Sequence, residues 1–519
     1  MAVDTVVVVP AGLRGALQPW VDYRRSQGHT VHLMNHRGSS EDIRAGIRRI
    51  AEQDAVRFVL LVGDVSNDNQ IGTPTHLAAA KINVQWGSEN EIATDNWFAD
   101  LDDDQIPDLA VGRLPADSPA ELANMVRKIL DYEAASEQGD WRRRLNFIAG
   151  VGGFGPVVDS VLESATKKFL TEGIPPAYSI SMTYASWRSP FCPDPRTFHD
   201  SVVERFNEGC LFWVYIGHGQ RTFLDQIRVP DGVYPIMDSE DVPKLQPGRR
   251  RPIAVFLSCY AGAFDESRDC LAEQMLSSAE GPVAVIAGSR VTMPYAMAVM
   301  GNELMREYFQ SRRGTLGELF MHAKRQMAVE VGKDSEQFNR QFLDAIAKVI
   351  SPAPEQLREE RLEHILLFNL LGDPLLRLHH GKYVEVAVPK DVHAGQPIHV
   401  TWTSPVAGRC RVDLVCRRDR TREAAPLRRQ FPITDAGLRG YNATYHRSND
   451  RCWVSKLVSI PAGLAETTLL VPAESRGPCH VRVFIEGDQR VALGSADIFV
   501  RRPVRPSEAP LPVRASSQN

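Results

Sequence analysis

No stretch of this chain is apolar over the roughly 20 residues that a membrane-crossing helix needs, so no membrane partner is expected. An excess of one charge is missing as well. Across 519 residues, 60 Lys and Arg stand against 64 Asp and Glu, a formal net charge of −4, which gives no electrostatic basis for binding nucleic acid. The arginine clusters Arg142–Arg144, Arg249–Arg251 and Arg312–Arg313 are short and read as solvated loop charge. Cysteine is scarce, 8 residues without a Cys-x-x-Cys spacing, which excludes a disulfide framework and a zinc cluster. Cys410, Cys416, Cys452 and Cys479 fall in the C-terminal region; the spacing allows one bridge there, but reduced thiols are expected. The opening Met1–Pro10 has no basic segment and only a short apolar run, so the expectation is a cytoplasmic chain. Internal repeats are also missing.

What is present is a rhythm. Up to about residue 380, short β-branched runs alternate with amphipathic stretches: Val6–Val9 then Leu13–Ser26, Thr30–Met34 then Glu41–Glu52, Leu109–Leu114 then Ser118–Ala134. That alternation predicts an α/β fold with doubly wound, mostly parallel sheets, two of them side by side. After Leu378 the runs become short and alternating, among them Pro397–Trp402, Cys410–Cys416 and His480–Ile485. They predict an antiparallel β-sandwich of immunoglobulin size over 381–503. Residues 504–519, rich in Pro, Ser and Ala, read as a disordered tail.

Two segments carry chemistry. Cys210-Leu-Phe-Trp-Val-Tyr-Ile-Gly-His218-Gly219 and Pro252-Ile-Ala-Val-Phe-Leu-Ser258-Cys259 both read as buried strands that stop on a reactive side chain. Such residues gather at the carboxyl ends of parallel strands. A His and a Cys brought together there form a base and a nucleophile, because imidazole lowers the pKa of a thiol from about 8.5 and so supplies the thiolate. Thiolate attack on a peptide carbonyl then creates an oxyanion that needs hydrogen-bond donors. A free-standing interaction scaffold has no chemical need for this pair, and a transpeptidase would use the same thioester.

Four segments together resemble the gingipain-type cysteine peptidases of the caspase-like clan. They are Asp100-Leu-Asp-Asp-Asp-Gln-Ile-Pro-Asp-Leu-Ala-Val-Gly-Arg-Leu-Pro115, Tyr215-Ile-Gly-His-Gly219, Leu257-Ser-Cys259 with Gly262 and Phe264, and Phe368-Asn-Leu-Leu-Gly-Asp-Pro374. The resemblance implies an N-terminal α/β subdomain over 1–138, a catalytic subdomain over 139–380 and an immunoglobulin-like domain behind it. It makes His218 the general base, Cys259 the nucleophile, and the amides of Gly219 and Cys259 the oxyanion hole, with no cofactor for catalysis. It implies protein or peptide substrates with Arg or Lys at P1. Asp159 would floor the S1 pocket, a planar acid suited to a guanidinium. Tyr295, in Ser289–Tyr295, would line its wall, and Ser258 would also contact substrate. The family's acidic partner of the His has no counterpart, since Ala149-Gly-Val-Gly-Gly153 contains no carboxylate.

Two further readings concern regulation and metal. Asp100, Asp102, Asp104 and Asp108 alternate oxygen donors as calcium loops do, without the glycine and terminal Glu of an EF-hand, which makes them candidates for a structural Ca2+. The segment Gln220–Arg251 is long for a strand connection and carries Val-Pro-Asp-Gly at 229–232 and the tribasic Arg249-Arg250-Arg251. An exposed tribasic loop beside both reactive residues predicts a zymogen cut by an activating protease or by itself, or controlled by a regulatory protein.

Overall fold

The computed structural model describes residues 2–35, 38–66, 70–134, 139–152, 173–332, 337–432, 434–488 and 490–503. The chain forms two compact units, one of residues 1–380 with 426–445, the other of 381–425 with 446–519. None of the described helices is long and apolar enough to cross a membrane.

The first unit is built on ten strands: β1 (Thr5–Val8), β2 (Val31–Met34), β3 (Phe58–Val62), β4 (Ala110–Leu114), β5 (Arg144–Ala149), β6 (Ser179–Tyr184), β7 (Phe212–Ile216), β8 (Ile253–Leu257), β9 (Ala284–Gly288) and β10 (Phe368–Leu371). They make one sheet in the order β2-β1-β3-β4-β10-β9-β8-β7-β5-β6. The two sheets expected side by side are therefore one. The join is β10, which pairs in parallel with β4 through Leu371 and Arg113 and antiparallel with β9. The other neighbours run parallel, so two parallel halves meet head to tail at this seam. β7 and β8, Phe-Trp-Val-Tyr-Ile and Ile-Ala-Val-Phe-Leu, are almost wholly buried, as strands of a sheet covered on both faces are.

Polar residues lock the seam. Arg113 is fully buried; it grips Asp95 with Nε and Nη2 at 2.7 and 2.8 Å and donates to the carbonyls of Gly63 and Thr73 at 2.9 and 2.8 Å. Its guanidinium lies 5.4 Å from the ring centre of Phe264. Asp373 is fully buried and accepts from Trp20 Nε1 and Arg24 Nη2, both at 2.5 Å, and from the Leu375 amide at 2.8 Å. A Cβ on Gly112 would stand 2.5 Å from the Gly372 carbonyl, so a side chain there would push β10 away. Two of the four recognised segments thus fasten β10 to the first half of the sheet.

The connection between β7 and β8 is folded rather than open. Gln226–Val229 and Gly232–Pro235 pair as a hairpin, with Pro230 and Asp231 at its turn. A helical turn at Ser239–Lys244 follows, started by the Asp238 carboxylate on the Glu240 amide. Arg249 and Arg250 are exposed, but Arg251 is buried and paired with Glu280 at 3.3 Å. The expected tribasic site is therefore dibasic.

Residues 426–445 belong to the first unit. Arg428 Nη1 donates to the carbonyls of Ser189 and Cys192 at 2.5 and 3.0 Å. The Tyr445 hydroxyl meets Thr183 Oγ1 on the edge strand β6 at 2.7 Å.

In the second unit, Lys382–Tyr383, Val491–Arg501, Gly477–Glu486, Gly408–Cys416 and Cys452–Ile460 pair in that order, with Asp391–His393 also on Val491–Arg501. A second sheet joins Val386–Ala387, Pro397–Ser404 and Gly463–Leu470. Both sheets feed one apolar cluster that includes Ile398, Val400, Trp402, Val412, Leu414, Val481 and Val483.

Candidate active site

Strands β7 and β8 lie side by side with Ile216 opposite Leu257. Two residues beyond each stand His218 and Cys259, so both side chains leave neighbouring carboxyl ends at the same level. The Gly217 amide still donates to the Leu257 carbonyl at 3.2 Å, which carries the ladder one step past the strands. A Cβ on Gly219 would stand 2.7 Å from the Cys259 carbonyl oxygen and 2.8 Å from Ser258 Oγ. Only glycine lets the His218 loop settle this closely on the Cys259 backbone. His218 is half-buried, and its carbonyl accepts from the Tyr215 hydroxyl at 2.6 Å. A Cβ on Gly150 would lie 3.2 Å from the Gly217 Cα, so the glycine-rich turn after β5 does pack against this loop.

Cys259 is half-buried. Burial pushes the thiols of Cys192 and Cys479 up to about 12 and those of Cys210, Cys270 and Cys416 up as well, which leaves them poor nucleophiles at neutral pH. The sulfur of Cys259 rests against the turn after β9: the Thr292 amide donates to it at 3.3 Å, and the Thr292 hydroxyl lies 3.6 Å away. In the thiol form, S–H faces the Thr292 carbonyl at 3.7 Å. The next residue, Tyr260, takes a φ of 54°, rare for a bulky side chain. It is held by its amide on the Arg290 carbonyl at 3.1 Å and by its hydroxyl on Glu89 at 2.8 Å. Arg221 lies over the Tyr260 ring at 4.6 Å and pairs with Glu89 and Glu266 at 2.9 and 2.8 Å. Residues from both halves of the sheet therefore meet beside Cys259.

The remaining expected residues are placed as follows. Ser258 is fully buried beneath Gly219, which leaves no surface of its side chain for a substrate. Tyr295 is half-buried at the start of helix Pro294–Arg306; its hydroxyl donates to Asp344 at 2.7 Å and accepts from Arg361 at 2.8 Å. Asp159 lies outside the described residues. Asp100, Asp102 and Asp108 bring carboxylate oxygens within 4.8 Å of one another, and Asp104 is not in that group. Three convergent carboxylates fit a hard cation. They also serve the loop itself: Asp100 accepts from the Asp103 and Gln105 amides and faces Arg44 at 3.3 Å, and Asp108 accepts from the Leu101 amide and Arg325.

Sequence reasoning missed Thr292, Glu89 and Arg221. Thr292 lay inside the Ser289–Tyr295 segment, and a Thr just before Met-Pro is a readable helix-entry signal. Glu89 carries no such signal, since it reaches the site from the other half of the sheet.

The chain matches peptidase family C25 over residues 1–379. Among curated proteins it is 23% identical over 303 residues to Lys-gingipain HG66 of Porphyromonas gingivalis, covering 55% of this chain and 16% of that relative. Lys-gingipain W83 of Porphyromonas gingivalis is 24% identical over 298 residues, covering 55% and 15%. The chain thus spans a minor part of the length of these relatives. Among solved structures, the Arg specific cysteine proteinase gingipain R (RGPB) superposes with a TM-score of 0.54 at 15% identity, over 96% of this chain and 98% of that one. The complex of Porphyromonas gingivalis RgpB pro- and mature domains gives 0.53 at 16% identity, over 96% and 100%. At these identities the structures speak for the α/β fold alone, but the match over 1–379 takes in the His218 and Cys259 strands and the seam, and the chain belongs to peptidase family C25, the gingipain-type cysteine peptidases.

Proposed function

We propose that this chain is a cysteine endopeptidase in which His218 takes the proton of Cys259 and the thiolate attacks the peptide carbonyl. The tetrahedral oxyanion is received by the amides of Gly219 and Cys259, the amine leaves with the proton from His218, and water hydrolyses the thioester. The observation that carries the reading is the in-register pairing of Ile216 with Leu257, which sets His218 and Cys259 at adjacent strand ends. The test compares the wild type with Cys259→Ala and His218→Ala on a peptide library. Turnover should vanish in both with the melting temperature nearly unchanged, because neither half-buried side chain fills a core site. Hydrolysis retained in Cys259→Ala overturns the mechanism.

A basic P1 residue is the finer part of the proposal. It is supported by membership of a family whose relatives here are named Lys-gingipain and Arg specific gingipain R. Asp159 is proposed as the pocket floor and Tyr295 as part of its wall, with Tyr295 pinned from behind by Asp344 and Arg361. Asp159→Ala should then cost on the order of 2–4 kcal/mol in kcat/KM on Arg substrates and little on apolar ones. An equal loss on both assigns Asp159 to structure. Protein and peptide substrates, an immunoglobulin-like type for the C-terminal unit and zymogen control belong to the same proposal.

A calcium ion at Asp100, Asp102 and Asp108 would be structural, bracing the turn that leads into β4. Added calcium should raise the melting temperature by a few degrees, and Asp102→Asn should remove that gain. No response to calcium means that Arg44 and Arg325 close the loop alone.

A further inference from the structure

The amide of Thr292 points at the sulfur of Cys259, and the next amide along the chain points elsewhere. Met293 N donates to Nε2 of His364 at 2.8 Å. We propose that His364, which does not touch the sulfur, is a positioning residue that aims the Thr292 amide and so stabilises the Cys259 thiolate. The inference rests on Cys259 being the nucleophile.

The protonation of His364 follows from its partners. Its Nδ1 lies 2.7 Å from the Glu360 carbonyl, an oxygen that can only accept, so Nδ1 carries the hydrogen. Its Nε2 meets an N–H, which can only donate, so Nε2 is the lone-pair side. The ring is neutral, fully buried and held in one tautomer.

His364 belongs to one face of helix Leu357–Leu367. Glu360, Glu363 and His364, spaced i, i+3 and i+4, share that face and are all buried. Glu360 accepts from the Ala296 amide at 3.1 Å, in the first turn of helix Pro294–Arg306. Glu363 accepts from the amides of Lys81, Ile82 and Asn83 at 2.6, 2.9 and 2.7 Å. Asn83 in turn donates to the Val291 carbonyl. A buried polar face needs partners, and here its partners converge on the turn that touches Cys259.

The rest of that turn is also pinned. Ser289 Oγ donates to the Ala93 carbonyl at 2.8 Å, and Arg290 grips Asp265 at 2.8 and 2.6 Å. A Cβ on Gly288 would stand 2.8 Å from Thr292 Cγ2, so the strand end leaves room for Thr292. The Thr292 hydroxyl lies between two sulfurs, 3.0 Å from Met297 Sδ and 3.6 Å from Cys259 Sγ. Thr292 immediately precedes Met293, the cap of a 13-residue helix, so the Cys259 sulfur rests beside the helix N-terminus. Without His364 the Met293 peptide loses its buried acceptor, and the Thr292 amide loses its fixed direction.

The experiment follows alkylation of Cys259 by iodoacetamide against pH, with the site read by peptide mass, in the wild type, His364→Leu and His364→Gln. Glutamine keeps an acceptor for Met293 N, and leucine removes it. His364→Leu should raise the thiolate midpoint by about one pH unit, which slows alkylation below the midpoint by about three- to fivefold because the more basic thiolate is also the stronger nucleophile, while His364→Gln stays within about twofold of the wild type. If His364→Leu does not fold, His364→Met fills the same space with only a weak acceptor and carries the same expectation. A folded Leu or Met variant with an unchanged midpoint, or a Gln variant that shifts as far as Leu, overturns the proposal. The readout does not use peptide hydrolysis. A shifted midpoint in a chain that cleaves no peptide would therefore uphold His364 while rejecting the peptidase reading.

Discussion

The backbone of Cys259 touches Gly219: a Cβ there would stand 2.7 Å from the Cys259 carbonyl oxygen and 2.8 Å from the buried Ser258 hydroxyl oxygen. Contacts under 3 Å with backbone cannot be absorbed by a rotamer change. Gly219→Ala must therefore lift the His218 loop from Cys259 and move the Gly219 amide, the proposed oxyanion donor. The expected result is a loss of about 10²–10³ in kcat with the melting temperature lowered by only a few degrees. Steady-state kinetics beside a thermal scan measure both. Full activity in Gly219→Ala would mean that this amide is not an oxyanion donor.

Asp373 tests the seam rather than the site. It receives Arg24 and Trp20 inside the protein, so Asp373→Ala strands a buried guanidinium. Losing one partner of a buried pair costs about 3–5 kcal/mol. Arg24 still has Glu133 at 2.8 Å, which places the expectation at the low end, about 3 kcal/mol. Urea unfolding gives the number. Cys259 alkylation in the folded fraction should not change, because Asp373 sits on the β10 seam and not at the β7 and β8 ends.

Acid should separate two kinds of buried group. Burial pulls His364 down to about 4, against an ordinary value of 6.5. The unfolded chain then takes up a proton at higher pH than the folded chain does. The stability that the neutral ring brings is complete above pH 6.5, declines as pH falls, and is gone near pH 4, up to about 3 kcal/mol. Burial pushes Glu360 up to about 7, and this group acts in the opposite sense, so the wild-type curve alone will look flatter than the histidine's own share. Comparison with His364→Gln isolates the histidine. The wild type should lose ground to the variant from pH 6.5 down to 4 in denaturant titrations. A constant difference would show that His364 is not neutral when folded.

How much of this was legible in the sequence depends on whether a feature is local. β7 and β8 were readable because their apolar runs are buried on both faces, and each reactive residue ends its own run. The hairpin turn at Pro230 and Asp231 was readable for the same reason: turn chemistry is local. The single sheet was not, because β10 joins β4 through one register pair, Leu371 with Arg113, across more than 250 residues of chain. The strand Cys452–Ile460 and the helix Asp435–Asn449 were also missed. The first is half-exposed, which blurs its alternation; the second is capped by Thr434, whose hydroxyl accepts from the Gly437 amide at 3.3 Å, but Gly437 and Gly440 in its first turns are poor helix formers. Arg113 and Asp373 looked like family marks with no stated job; their partners, Asp95 and Arg24, are assigned only by packing.

The dibasic segment gives the last prediction. Arg249 and Arg250 are exposed after the Pro247–Gly248 turn, whereas Arg251 is buried against Glu280 and leads directly into β8. A peptidase that takes Arg at P1 can cut after Arg249 or Arg250; Pro252 disfavours a cut after Arg251. Access is restrained on the near side as well, since a Cβ on Gly209 would stand 2.4 Å from Arg250 Cβ, so the strand must loosen before a protease can engage it. Cleavage should therefore be slow compared with turnover of a flexible peptide, and first at Arg249. A cut after Arg249 frees a chain end at Arg250, only three residues before Ile253, close enough to relax the Cys259 strand. Incubating the wild type and Arg249→Ala/Arg250→Ala, with chain mass and peptidase rate followed together, tests the switch. An intact double variant with low activity supports zymogen control, and an intact double variant as active as the cut wild type rejects it.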